Sequence, residues 1–244
     1  MSTLPFVSCI TPTRNRRRFI PALLRSFYAQ DYEGGAELII VEDGDENCED
    51  LAFQVQFGMN DPMRDGSCVR YFRFEGTVGA KLNFAVEMAA GYICLRMDDD
   101  DWQMPNRISA QVAHLQLSGK PAVGLSSAIY YREGEDHGIE ITGEPTDIMG
   151  FSHCFLREYG LAHPYPDKSL AEDMEFSRAA ALHGDLSAIS GLTCMVAREH
   201  EGNTSPRDAY RKDPVGSKLY AMFGEPDNYR QVPLSRFAAT VGRA

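Results

Sequence analysis

Positive charge is what this chain of 244 residues has least of: 24 Lys and Arg stand against 35 Asp and Glu, a formal net charge of −11. A polyanion bound across a wide face needs clustered basic side chains, so nucleic acid is not an expected partner. Apolar runs long enough to span a bilayer are also missing, and the opening Met1-Ser2-Thr3-Leu4-Pro5 has neither the charged start nor the apolar stretch of a secretory leader. The expected location is therefore cytoplasmic. Six cysteines (Cys9, Cys48, Cys68, Cys94, Cys154 and Cys194) show no CxxC spacing, and several stand inside apolar strand patterns. That disfavours a zinc site and a disulfide framework alike and points to reduced core thiols. Without a leader, Asn203-Thr204-Ser205 reads as a chance glycosylation sequon. No internal repeat and no low-complexity linker divides the chain.

What is present is a run of acid in an unusual place. Tyr92 to Met97 is an apolar strand pattern that stops in Asp98, Asp99, Asp100 and Asp101, followed by Trp102. Two carboxylates about 4 Å apart repel by roughly 4 kcal/mol at an effective dielectric near 20, so such a cluster asks for a cation. Oxygen ligands suit Mg²⁺ or Mn²⁺. A solvated acidic loop is the alternative, but the run ends a buried strand pattern and does not lie in a polar tract.

The chain length allows one large α/β domain or two small ones. Phe6 to Ile10 reads as a buried strand broken by Thr11-Pro12-Thr13-Arg14-Asn15, and Phe19, Ile20, Leu23, Leu24, Phe27 and Tyr28 mark one apolar helix face ending before Gly34-Gly35. Leu38 to Val41 is a second strand that runs into acid, Glu42-Asp43-Gly44-Asp45-Glu46. Ligands of open α/β sheets bind beyond the carboxyl ends of strands, so both acidic ends can line one crevice. Asp43-x-Asp45-x-Asn47 begins like a calcium loop, but Cys48 and Gln54 stand where Gly and the bidentate Glu are needed. Val69 to Phe74 gives a third strand, and Leu82, Ala85, Val86 and Ala89 a short helix for which Gly91 is the expected stop. Pro105 is placed as the first residue of the next helix, closed by Gly119 and Pro121. Beyond it, Val123 to Tyr131 and Ile139 to Thr142 are expected strands, Glu144 to Pro166 is irregular, Leu170 to His183 is a helix opening with Glu172-Asp173, and Leu186 to Ala197 holds strands around Gly191. The order predicts a layered α/β domain with a largely parallel sheet. Arg14, Arg16, Arg17, Arg18 and Arg25 form a local basic cluster, expected as a solvated helix face, with contact to phosphate or to a membrane surface as the alternative.

Taken together, Val7 to Asn15, Glu37 to Gly44, Gly91 through the aspartates to Pro105, and Glu172-Asp173 resemble the family 2 glycosyltransferases of the GT-A fold, in order and spacing over roughly the first 200 residues. The resemblance implies an α/β fold with a central, mainly parallel sheet flanked by helices. Residues 1–120 would form the nucleotide-sugar half, 121–200 a smaller acceptor and catalytic-base half, and 201–244 a C-terminal tail. It implies that Thr11, Pro12, Arg14, Asp43, Lys81, Asn83, Asp98 and Asp99 surround the donor. Asp98 and Asp100 would be the DxD pair, Asp100 reaching a Mn²⁺ or Mg²⁺ ion that His200 also ligates, and Asp173 the general base beside Glu172. Two positions depart from the family pattern: Leu82 stands where Arg is common, beside Lys81, and Glu42 replaces a frequent Asp.

The implied chemistry is metal-dependent, inverting transfer of a sugar from a nucleotide-sugar, a UDP-sugar first, to a saccharide or other hydroxyl acceptor. A sugar-nucleotide pyrophosphorylase is a rival, but it needs a glycine-rich phosphate loop after the first strand, and residues 11–15 hold no glycine. A nucleotide-sugar-binding module without turnover is the non-enzymatic rival. His114, His153 and His163 offer no metal spacing, and Trp102 is equally suited to flanking the donor or packing in the core.

Overall fold

The computed structural model describes residues 4–52, 68–142, 148–201, 203 and 229–236. Thr204 and Ser205 of the sequon and most of the tail lie outside the described residues.

Four parallel strands form the centre: β1 (Val7–Thr13) lies between β2 (Ala36–Glu42) and β4 (Ile93–Arg96), and β3 (Cys68–Arg73) flanks β2. With β6 (Ala122–Leu125), β9 (Cys154–Leu156) and β10 (Leu186–Ile189) they make a seven-stranded sheet of order β10-β6-β9-β4-β1-β2-β3. Only β9 runs against its neighbours, pairing antiparallel with β4 and β6.

Alternation along these strands sends residues to two cores, as expected of parallel strands covered on both faces. Val7, Cys9, Leu38, Ile40, Ile93 and Leu95 pack against α1 (Ile20–Tyr28) and α3 (Arg107–Ser118). Ile10, Ile39, Val41 and Cys94 face α2 (Val78–Met88), α4 (Arg157–Ala162) and α5 (Glu172–Leu182). A second, five-stranded sheet has the order β12-β8-β7-β11-β5, built from β5 (Trp102–Gln103), β7 (Ser127–Arg132), β8 (His137–Thr142), β11 (Met195–Glu199) and β12 (Tyr229–Pro233). Its β5 leaves directly from the aspartate run and its β11 returns beside it, which carries residue 200 back to residue 100.

Several elements differ from the sequence reading. Val123 to Tyr131 is not one strand: it breaks at Ser126, whose N–H donates to Ile189 at 2.8 Å, and the chain passes from the first sheet to the second. Residues 144–166, expected irregular, include β9 and α4, elements too short to show a period. α3 begins at Arg107 rather than Pro105, whose carbonyl accepts from Asp31 N–H at 2.8 Å. Gly119 does close α3 in the left-handed region, at φ 65°.

Gly91 has another task than stopping α2, which ends at Met88 through an extended Ala89. A Cβ on Gly91 would lie 2.6 Å from Ser8 N and 2.8 Å from Phe6 O, so the glycine lets the β4 entry touch β1. Gly91→Ala is therefore expected to lose about 1–3 kcal/mol by overpacking. The check is a lowered urea midpoint at unchanged slope. Among the described residues, no helix is long and apolar enough to cross a membrane.

Candidate active site

Because β1, β2 and β4 are parallel, their carboxyl ends open on one edge, and the acidic segments after β2 and β4 meet there. Thr11, fully buried, donates to the Met97 carbonyl at 2.5 Å and ties the end of β1 to the chain leaving β4. Pro12, half-buried, sits opposite Val41 in the β1–β2 register. Thr13 is the β1 hydroxyl that reaches the acid, donating to Asp99 Oδ2 at 2.5 Å.

The loops after β1 and β2 lock together. Asn15 adopts φ 52°, and its Oδ1 accepts from Asp45 N–H at 2.7 Å and Glu46 N–H at 3.3 Å. A Cβ on Gly44 would fall 2.4 Å from that oxygen, so glycine is required there. Glu42, fully buried, accepts from Cys48 N–H at 3.0 Å and Tyr71 Oη at 2.5 Å. Its extra methylene relative to Asp gives it the reach to hold this loop from below.

Asp43 then takes a fixed position. Lys81, 3% exposed, donates to Asp43 Oδ1 at 2.7 Å and to the Thr13 carbonyl at 2.9 Å, while the exposed Arg14 lies 3.6 Å from Oδ2. Leu82 points into the core, so Lys81 is the cation that this helix brings to Asp43. Asn83 is committed elsewhere: its amide exchanges hydrogen bonds with the Tyr165 backbone, both at 2.8 Å, and anchors that segment on α2.

The four consecutive aspartates have different environments. Asp98 is forked by Arg96, at 2.7 Å from Nε and 3.2 Å from Nη2; burial raises its pKa and the Arg96 charge opposes the rise. Burial and the Asp100 charge push Asp99 up to about 7, against the pull of Arg16. Asp101, which accepts from Arg198 N–H at 2.9 Å, is raised well above the carboxylate range by burial and by its acidic neighbours. Asp100 alone is lowered: burial works upward, but the His200 hydrogen bond and the Arg16 charge outweigh it. Arg16 Nη1 stands 2.9 Å from both Asp99 Oδ1 and Asp100 Oδ2.

His200 is buried, with Nε2 3.0 Å from Asp100 Oδ2, Nδ1 3.4 Å from Arg18 Nη2, and its ring 4.5 Å from that of Phe19. An arginine only donates, so Nδ1 accepts and the proton facing Asp100 is on Nε2. To ligate a divalent ion through Nε2, His200 would shift its proton to Nδ1 and Arg18 would turn away from that nitrogen. Adjacent ligands of an octahedral ion at about 2.1 Å stand about 3.0 Å apart, which is the Asp100–His200 separation, and a carboxylate oxygen with an imidazole nitrogen is acceptable to Mn²⁺. Among the described residues, the group of three potential ligand side chains within 4.8 Å of one another is instead Glu135, Asp136 and His137, at the turn into β8.

Asp173 is the second residue of α5. Its Oδ1 accepts from Met174 N–H at 2.7 Å, and a Cβ on Gly150 would fall 1.9 Å from its Oδ2. Glu172, next to it, is buried and held by Arg96 Nη1 at 3.1 Å. Lys81 thus holds Asp43, Arg16 braces Asp99 and Asp100, and Arg96 holds Asp98 and the Glu172 that precedes Asp173, whereas Thr11 and Asn83 bond to the surrounding backbone.

Neither Arg16 nor Arg96 was expected at the site. Arg16, read as part of a solvated helix face, precedes α1 and is only 17% exposed at its side chain; Arg17 pairs with Asp50 and Arg18 faces His200. Arg96 carried a usable signal, since a cation inside a buried strand must find a partner. Trp102 is core: its ring packs 5.4 Å from Tyr131 with the Arg198 guanidinium 4.7 Å above it. His153 is structural, lying 2.8 Å from Tyr165 Oη and 2.7 Å from Ser177 Oγ, and burial lowers its pKa well below the usual value.

Comparison with known proteins gives the family and the fold. The model of the family described as glycosyl transferase family 2 matches residues 8–162. The chain is 34% identical over 118 residues to the putative colanic acid biosynthesis glycosyl transferase WcaA of Escherichia coli, covering 48% of this chain and 40% of that protein. It is 30% identical over 205 residues to the uncharacterized protein y4gI of Sinorhizobium fredii, covering 82% of this chain and 20% of that one. The chain therefore spans well under half the length of these curated relatives. Among solved structures it is similar to TarS of S. aureus in complex with UDP-GlcNAc, at TM-score 0.63 and 18% identity, covering 81% of this chain and 59% of that one. It is also similar to the mannosyltransferase PcManGT of Pyrobaculum calidifontis in complex with GDP-Man and Mn²⁺, at TM-score 0.60 and 19% identity, covering 82% and 58%.

Proposed function

The chain belongs to glycosyl transferase family 2, and from that premise we propose that it transfers a sugar, with inversion, from a nucleoside-diphosphate donor to a hydroxyl acceptor. The observation that carries the reading is the Asp100–His200 contact, a low-pKa carboxylate and an imidazole joined at 3.0 Å where the parallel strands end.

Asp43, oriented by Lys81, accepts an N–H of the nucleobase, and Arg14 lies exposed at the mouth of the same pocket. Asp98 turns toward the ribose, while Asp99 and Arg16 brace Asp100. Asp100 and His200 would hold a divalent ion, Mn²⁺ or Mg²⁺, which when bound offsets the negative charge that gathers on the leaving diphosphate. Asp173 accepts the proton of the acceptor hydroxyl as that oxygen attacks the anomeric carbon opposite the leaving group. Residues 1–120 form the donor half, 121–200 the half that presents acceptor and base, and 201–244 a tail.

UDP-sugars are the first donors to test and GDP-sugars the second; the neighbours in complex with UDP-GlcNAc and with GDP-Man and Mn²⁺ support both the donor class and the ion. A saccharide is the proposed acceptor. The pyrophosphorylase alternative is disfavoured by the β1 loop, where Asn15 rather than glycine takes the left-handed turn.

The test is nucleoside-diphosphate release from UDP- and GDP-sugars with Mn²⁺, with and without saccharide acceptors, and the anomeric configuration of the product by NMR. The expected result is metal-dependent release that an acceptor accelerates, with an inverted product. Donor binding without turnover on any acceptor would favour a binding module, and a retained configuration would remove Asp173 as base.

A further inference from the structure

We infer that Arg96 is a positioning residue that couples the donor side of the crevice to the helix bearing the base: one guanidinium orients Asp98 and, through Glu172, the first turn of α5. The inference rests on the glycosyltransferase reading above.

Arg96 is the last residue of β4 and is itself fixed. Its N–H donates to the His153 carbonyl at 2.7 Å, its carbonyl accepts from Arg107 Nη2 at 3.3 Å, and the residue is 6% exposed. From there Nε and Nη2 fork Asp98, and Nη1 reaches Glu172 at 3.1 Å, 76 residues along the chain. A planar fork sets the direction of two carboxylates at once, which a lysine ammonium does not do.

The start of α5 independently needs such an anchor. Ala171, before the helix, sits at φ 60° and caps nothing with its side chain. A non-glycine residue in the left-handed region persists only where its surroundings over-determine it. Glu172 follows immediately, its side chain buried and drawn to Arg96, and Asp173 is the next residue on the same turn. A shift of Glu172 therefore moves Asp173, and a shift of Arg96 moves both Asp173 and Asp98.

The distinguishing consequence is that Glu172, whose carboxylate pairs with Arg96, affects nucleotide binding through Arg96. Calorimetry would use whichever of UDP, GDP and dTDP binds wild type most tightly with Mn²⁺. Glu172→Gln is expected to weaken that affinity about 3- to 10-fold in the wild-type background and less than about 2-fold in Arg96→Lys, because interacting residues are not additive. In turnover, Arg96→Lys is expected to lower kcat at least about 10-fold with acceptor KM within about 2-fold, and Arg96→Met to fall further. Unchanged nucleotide affinity in Glu172→Gln, or additive effects in the double variant, would overturn the coupling and leave Arg96 as a stabilising cation only. Should Arg96→Lys fail to fold, Glu172→Asp decides: it keeps the charge and withdraws it by one methylene, so weakened binding supports the coupling and unchanged binding overturns it. If wild type binds none of the nucleotides, the donor reading fails and the inference with it; if wild type binds and the Glu172 variants match it, only the inference fails.

Discussion

Asp173→Asn is expected to lower sugar transfer by about 10²- to 10⁴-fold, the usual contribution of a positioned general base, while nucleotide affinity stays within about 2-fold. Asn is isosteric, and its oxygen can still accept from Met174 N–H as Asp173 does at 2.7 Å. The close approach of Gly150 to the second carboxylate oxygen is undisturbed in shape. What is lost is the capacity to take a proton. Single-turnover transfer alongside equilibrium nucleotide binding separates the two quantities. Transfer near the wild-type rate would assign the base elsewhere.

A comparably large effect, on stability, is expected at Lys81. The Lys81 and Asp43 side chains are 3% and 5% exposed, and Met in place of Lys81 would leave a buried carboxylate facing the solvent-exposed Arg14 at 3.6 Å. Breaking a buried pair on one side costs about 3–5 kcal/mol, and Arg14 offsets part of it, so a loss of about 3 kcal/mol is expected in urea unfolding. Nucleotide binding should weaken too, because Asp43 loses its orientation. The Lys81→Met, Asp43→Asn double variant should recover part of the stability and none of the binding. Full stability in the single variant would show that the pair holds nothing.

The parallel half of the fold was legible because its strands are short apolar runs with helical periodicity between them: Leu38 to Val41 and Phe19 to Tyr28 each contain their own signal. The family followed from motifs whose order matters more than any one of them, and the match over residues 8–162 bears it out. What stayed hidden depends on contacts between distant segments. Nothing local marks the break at Ser126, which is set by a hydrogen bond to Ile189. β9 has three residues, fewer than a period can show, yet it inserts between β4 and β6. In the site, the carboxylates were visible as a run, but their inequivalence was not: Arg16 lowers both Asp99 and Asp100, and the two differ because His200 holds Asp100 down while the Asp100 charge pushes Asp99 up. Thr11 illustrates the converse. A motif placed it at the donor, while its hydroxyl bonds to the Met97 carbonyl and Thr13, two residues on along the same strand, is the one that reaches Asp99.

If these carboxylates form a metal-assisted site for a nucleoside-diphosphate donor, thermal unfolding reports it. Wild type and Asp100→Ala would be melted with UDP, GDP, dTDP and CMP, each with and without Mn²⁺. A ligand at about 100 times its dissociation constant stabilises by about 2.7 kcal/mol, a rise of about 5–10 °C for a chain of this size. Such a rise is expected with one nucleoside diphosphate, dependent on Mn²⁺ and abolished in Asp100→Ala. No rise with any nucleotide, or an equal rise without Mn²⁺ and without Asp100, would contradict it.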